Sequence, residues 1–199
     1  MFGKIPLITE PVNLESPQLK APQSPVEDVY NVIVSDLQTA EQAGLPWIDE
    51  SGRVSLGAVK SLLAKVYLTM AGYPLQKGLT HFTLAAQKAK EVIDSGIFKL
   101  FDNYKRLRDP GMKNKEEHIF MIQYLAGTLP SNFQVLIIPY NKNISAYSDE
   151  TGGIYATTAF VQSFQPNDLR AKEKQFFYTT FSHQDNRGET VNVGGYFIP

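Results

Sequence analysis

The chemistry-bearing residues of this chain gather late, in Tyr140-Asn141-Lys142-Asn143 and in Tyr147, Asp149 and Tyr155 shortly after. A tyrosine ring offers a flat apolar face, and amides, carboxylates and ammonium groups donate and accept around it. A polyhydroxylated ring needs that combination, because its C–H face stacks while its hydroxyls hydrogen-bond. Tyr140, Asn141, Asn143, Tyr147 and Tyr155 are therefore the candidate ligand-binding residues. The competing reading is that the tyrosines only pin a loop to the body of the protein.

Other constellations are thinner. His81, His118 and His183 are far apart and lack the i, i+4 spacing of a helical metal pair. No metal and no cofactor is expected. His81 reads as solvated, His118 as structural, and His183 with Asp185 as a loop pair. Hydrolysis of a glycosidic bond needs two carboxyl groups facing each other across a cleft. Glu116-Glu117 and Asp149-Glu150 supply only adjacent carboxylates, which diverge. No catalytic residue can be named, and the chain is not expected to be an enzyme. Glycine-rich phosphate loops are also missing, and Gly152-Gly153 reads as a turn. Lys105, Arg106, Arg108, Lys113 and Lys115 form a basic cluster without interleaved stacking residues, so a solvated surface is favoured over nucleic acid. The net charge of -1 gives no reason to expect a polyanionic partner either.

Three helices must position whatever the late loop does. In Gly52–Leu75, Val59, Leu62, Leu63, Val66, Tyr67 and Met70 recur at i, i+3, i+4, i+7, i+8 and i+11, one stripe of a helix. Ser55 can cap its first turn, Gly72 ends it, and Pro74 prevents its resumption. Upstream, Ser24-Pro25-Val26-Glu27 reads as a capping box with proline at the first helical position. The helix it opens carries Val26, Val29, Tyr30, Ile33, Leu37 and Ala40 on one face and ends at Ala43-Gly44. A third helix, about Thr80 to Ser95, shows Phe82, Ala85, Ala86, Ala89 and Ile93 on one side. Small residues such as Ala64, Ala85, Ala86 and Ala89 permit close helix approach, as in tetratricopeptide-like arrays. The strict repeat consensus is not there, so periodicity alone supports only helical hairpins.

Around these helices lies extended and loop structure. Pro11, Pro17, Pro22 and Pro25 mark an extended segment, and Trp47 sits in a loop expected to cover a helix hairpin. Phe101 to Arg108 reads as a short helix broken at Asp109-Pro110-Gly111. His118 to Tyr124 and Phe133 to Tyr140 are rich in β-formers and read as strands or extended segments. Thr158 can cap a short helix through Phe164. Two extended segments, Gln175 to Phe181 and Thr190 to Phe197, flank a polar turn at Asp185 to Gly188. With 199 residues, 43% of them hydrophobic, the chain can bury a core. It has no cysteine, so neither a disulfide nor a thiolate metal site can form. No run approaches the roughly 18–20 apolar residues of a membrane span, and the first residues do not read as a signal peptide.

The wording of four segments carries more than their periodicity. FGKIPLIT near the start, GRVSLGAVKSLLAKVYLTMAGYPL, the AQKAKEVIDSGIFKL that follows and EEHIFMIQY at Glu116–Tyr124 resemble, in that order, landmarks of the SusD/RagB family of nutrient-binding outer-membrane lipoproteins. The resemblance implies a mainly α fold of tetratricopeptide-like hairpins over 26–95, with a loop-rich, partly extended portion over 96–199. It implies that the chain corresponds to a middle portion of a typical member, without the lipid-anchoring N-terminal region or the C-terminal part. Non-catalytic capture of glycans, oligosaccharides or related nutrients is the function it implies, at the cell surface and on the outer membrane. Its implied partner is a SusC-like TonB-dependent transporter. Arg53, Gly52 and Glu117 match family landmarks that look architectural, and no ligand residue transfers position by position. The alternative is a tetratricopeptide-like protein-interaction module that binds no saccharide. Against that alternative, FGKIPLIT and EEHIFMIQY lie outside the helices, where a bare array would not need them.

Overall fold

The computed structural model describes all residues except 1, 2, 126, 127, 130, 141, 145–148, 173–176, 186, 198 and 199, and describes 132, 134, 181 and 194–197 by their backbone alone. The chain forms two compact units, Met1–Phe101 with Asp109–Met121, and Asp102–Arg108 with Ile122–Pro199.

In the first unit three α-helices dominate: α1 (Val26–Glu41), α2 (Leu56–Ala71) and α3 (Leu79–Asp94). The central helix, α2, carries the core, with Val59, Leu63, Tyr67 and Met70 buried and Leu63 wholly inaccessible. Around them close Tyr30, Val34, Leu37 and Ala40 from α1 and Leu84 and Ala85 from α3. Ser55 caps α2 as expected, its hydroxyl accepting from the Ala58 N–H at 3.2 Å. The order of the helices is antiparallel. Lys60, near the start of α2, meets Glu41 at the end of α1 and Glu91 near the end of α3. Lys77, just past α2, meets Glu27 in the first turn of α1. This is the helix-dominated, hairpin-stacked architecture that the resemblance implies.

Two details of the helix reading are corrected. The first turn of α1 has Pro25, not Ser24, at its cap position and no side-chain cap. Ser24 instead pairs with Ile5 in a two-residue ladder, β1 (Ile5–Pro6) against β2 (Gln23–Ser24), that closes the proline-rich segment. In α3 the inward line is buried Ala85 and Val92 with half-buried His81, Leu84 and Lys88, so that of the expected Phe82, Ala85, Ala86, Ala89 and Ile93 only Ala85 lies on it. The reason is electrostatic. Lys88 turns inward to reach Glu41 at 2.7 Å, and His81 lies edge-on to Tyr67 with ring centroids 6.0 Å apart. A count of apolar residues passes over a face that carries two basic side chains. His81 is thus half-buried rather than solvated. The rest of the expected stripe faces outward, where Phe82, Ala86 and Ala89 join Ala64 and Leu68 along a shallow apolar groove.

The connections around the helices are held close. Trp47 is half-buried, its carbonyl accepts from the Gly57 N–H at 3.2 Å, and the Lys60 ammonium sits 5.9 Å from its ring centroid. A Cβ at Gly57 would lie 2.5 Å from the Phe98 ring, so only glycine admits this approach. Glu117 accepts the Phe101 N–H at 3.0 Å, and His118 bonds through Nδ1 to the Met112 carbonyl at 2.9 Å. Both are architectural.

In the second unit, 3-10 turns at Tyr104–Arg108 and Leu169–Ala171 accompany α4 (Asn132–Ile137), α5 (Thr158–Gln162) and an antiparallel pair, β3 (Tyr178–Gln184) with β4 (Thr190–Phe197). That pair matches the two extended segments expected across the polar turn. The run from Phe133, expected as a strand, is helical through Ile137. A short apolar run does not distinguish the two by periodicity. Here the Ser131 hydroxyl accepts from the Phe133 N–H at 3.3 Å and starts a turn. Thr157 caps α5, one residue before the expected Thr158, accepting from the Phe160 N–H at 3.2 Å. His183 lies on β3, opposite Val191, rather than in the loop with Asp185.

Candidate functional site

The late polar segment is shaped by three sets of ties. The Glu150 carboxylate accepts the Lys142 N–H at 2.6 Å and also that of Ile144, which folds the segment back on itself. Thr151 donates to the Val135 carbonyl through its N–H at 3.0 Å and through its hydroxyl at 2.8 Å. Ile154 donates to the Leu136 carbonyl at 2.8 Å. These last two carbonyls belong to the final turns of α4 and lack intrahelical partners in so short a helix, so the loop both uses and satisfies them.

Tyr140 and Tyr155 converge at Gly152. Its φ is +57°, and a Cβ placed there would lie 2.7 Å from the Tyr140 backbone nitrogen, 3.3 Å from the Tyr140 Cβ, and still closer to the Tyr155 hydroxyl. Glycine is needed on both counts, conformation and space. Tyr140 remains 66% exposed and Tyr155 49%, so both rings keep much of their surface in solvent. Asn143 sits in the intervening turn with φ +52°, a left-handed conformation that asparagine tolerates. Asn141 and Tyr147 lie outside the described residues. Of the five candidates, then, the structure brings two tyrosines together, sets one asparagine in the turn between them, and does not describe the other two. Of the two carboxylate pairs, Glu117 and Glu150 are each engaged by backbone N–H groups. No group of three His, Asp or Glu residues able to hold a metal occurs among the described residues.

The same unit contains a second recess that no motif in the sequence marked. Tyr104, Phe160, Phe164, Gln165, Asp168 and Arg170 line an open cavity of about 470 Å³. The signal lay in Asp168-Leu169-Arg170, where a carboxylate caps a 3-10 turn and an arginine two residues on can return to it. Asp168 Oδ1 accepts the Arg170 N–H at 2.9 Å, and Oδ2 accepts from Arg170 Nη2 at 2.6 Å. Those bonds from Arg170 hold the Asp168 carboxyl below its ordinary value and the guanidinium above its own.

The fold has clear counterparts. The chain is 39% identical to a SusD superfamily protein of Parabacteroides distasonis whose crystal structure superposes with a TM-score of 0.82, over 98% of this chain and 43% of that one. It is 30% identical over 129 residues to a SusD-like protein of Bacteroides ovatus, covering 63% of this chain and 23% of that protein. A structure solved with a xylogluco-oligosaccharide shares the fold, with a TM-score of 0.61 at 22% identity over 98% of this chain and 41% of that one. No family model matches the chain. The chain is thus similar in sequence and in fold to proteins of the SusD family. It spans 23% of the Bacteroides ovatus protein and 43% of the Parabacteroides distasonis chain.

Proposed function

We propose that this chain is part of a cell-surface binding protein that captures glycans or oligosaccharides without chemical change. The observation that carries the reading is the convergence of Tyr140 and Tyr155 at Gly152, with two half-exposed rings on a loop anchored to α4. Fixed aromatic rings cost little side-chain entropy on binding and supply the apolar platform a sugar ring needs. Asn143 would contribute to the polar rim, and Asn141 and Tyr147 are candidates by residue type alone. Kinship with SusD-like proteins and the oligosaccharide held by one protein of the same fold support this ligand class. In the same reading the protein acts as a lipoprotein on the outer membrane and delivers its ligand to a SusC-like TonB-dependent transporter. Among the described residues no helix is long and apolar enough to cross a membrane.

A glycan array followed by calorimetry tests the ligand class. Tyr140→Ala and Tyr155→Ala should each weaken the best array ligand several-fold, since a stacked ring contributes roughly 1 kcal/mol. Their melting temperatures should stay within a degree or two of the parent. Loss of stability with affinity intact would make the tyrosines packing residues and place the site elsewhere. The exposed groove of Ala64, Leu68, Phe82, Ala86 and Ala89 favours a second reading, a protein-interaction face on the helices. A chain that binds no saccharide on the array would favour that reading.

A further inference from the structure

We propose that the recess between Tyr104, Phe164 and the Asp168–Arg170 pair is a second saccharide subsite, built for an uncharged sugar unit. This rests on the reading of the protein as a saccharide binder, and it adds a site and a charge preference to it.

The recess has the two halves that sugar recognition requires. Its apolar wall is a corner of Phe160 and Phe164, edge-to-face with centroids 5.3 Å apart. Phe177, only 2% exposed, backs that corner at 5.9 Å from the Phe164 ring and fixes it in place. The polar wall is a preorganised pair. Arg170 spends Nε and Nη2 on Asp168, at 3.0 and 2.6 Å, and lies 5.4 Å over the Phe164 ring. Arg170 Nη1 takes no part in that pair and can donate to a hydroxyl, while the carboxylate oxygens can accept from its neighbour. A vicinal diol matches such a donor–acceptor couple. Gln165 adds an amide at the rim, and the volume of about 470 Å³ suits a small ligand rather than a single water or ion.

The charge balance selects among ligands. Because Asp168 answers Arg170 within the recess, an anion would meet the carboxylate and a cation the guanidinium. A neutral polyol meets neither penalty and uses both groups. Specificity of this kind comes as much from what is repelled as from what is held.

The test uses the neutral oligosaccharide with the strongest signal on an array of neutral and uronic-acid glycans, with its uronate counterpart, measured by calorimetry. Gln165→Ala and Arg170→Ala should each lower affinity for the neutral probe, Arg170→Ala by about tenfold, which corresponds to about 1.4 kcal/mol. Asp168→Asn should shift preference toward the uronate probe, because Arg170 is then uncompensated. A merely structural pair would not produce that reversal. Thermal melts identify any variant that fails to fold, and Gln165→Ala, at an exposed amide, keeps the test available if the pair proves essential for folding. Binding that is lost in Tyr140→Ala but unchanged in Gln165→Ala and Arg170→Ala, with no change of charge preference in Asp168→Asn, would overturn the subsite alone. An array on which the parent chain binds no saccharide would overturn the subsite and the function together.

Discussion

Lys60→Met probes the feature that ties the three helices together. Lys60 Nζ lies 2.5 Å from both Glu41 Oε1 and Glu91 Oε2, and Lys88 Nζ lies 2.7 Å from Glu41 and 3.4 Å from Glu91. The Lys60 and Glu41 side chains are 13% and 17% exposed, so these charges are only partly solvated. Removing one partner from a fully buried pair costs about 3–5 kcal/mol, and an exposed pair is worth about 0–1. Partial burial places this network between the limits, and we expect Lys60→Met to cost about 2–3 kcal/mol. Methionine keeps the apolar stem beside Trp47, so the loss reports charge rather than packing. The pH dependence supplies the sign. Burial raises the Glu41 carboxyl, but the bonds from Lys60 and Lys88 outweigh it and leave the carboxyl lowered. At Glu91 the Lys60 hydrogen bond leads and the carboxyl is again lowered. Burial lowers Lys60, and its two carboxylate partners overcome that to raise it. The carboxylate contribution is therefore present above the ordinary value of 4.5 and is lost as pH falls through the folded-state values. The Lys60 contribution is present below 10.5 and fades only as pH rises through its raised value. Urea unfolding at pH 7 and across the acid range measures both effects, and the gap between parent and variant should narrow below pH 4.5. A cost under about 0.5 kcal/mol at pH 7, or a gap independent of pH, would refute the reasoning.

Two further perturbations address the core and the tyrosine pair. Leu63→Ala removes a side chain with no solvent exposure and should cost about 2–5 kcal/mol in the same unfolding assay. Gly152→Ala forces a Cβ against the Tyr140 nitrogen at a position with φ +57° and should abolish saccharide binding more completely than either single tyrosine change. Gly153→Ala is its control, because a Cβ there meets only Leu136 at an ordinary 3.5 Å. Equal affinities for the two glycine variants would show that the spacing of Tyr140 and Tyr155 does not matter.

The parts of the fold legible in the sequence are those in which apolar periodicity and caps agree. Ser55, the Val59–Met70 stripe and Gly72 specify α2 without ambiguity, and the helix is found at Leu56–Ala71. The misreadings occur where a polar group takes over. Lys88 and His81 occupy the inner face of α3, because ion pairing with Glu41 and contact with Tyr67 make those positions tolerable. Ser24 is drawn from its helix by pairing with Ile5, a contact distant in sequence that no local pattern reveals. In α4 the choice between helix and strand rests on Ser131 and on N–H groups arriving from Thr151 and Ile154, which lie well downstream.

For the candidate site the limit is similar, but it falls on geometry rather than identity. The residue types that the proposed saccharide site would use are visible in Tyr140, Asn143 and Tyr155. Their arrangement depends on Gly152, which in sequence reads only as a turn residue. Its missing side chain is what lets the Tyr155 hydroxyl and the Tyr140 backbone meet. The second recess was hidden for a different reason. Tyr104 is far in sequence from Phe164 and Arg170, and the aromatic and charged walls become one feature only after folding. Local motifs report what a residue can do, while the walls of a cleft come from segments whose encounter is decided by the fold. In this unit the Asp168–Arg170 pair is the step between the two levels. It forms within three residues, as its spacing permits, yet it faces a ligand-sized space only because the Phe160–Phe164 corner stands opposite Tyr104.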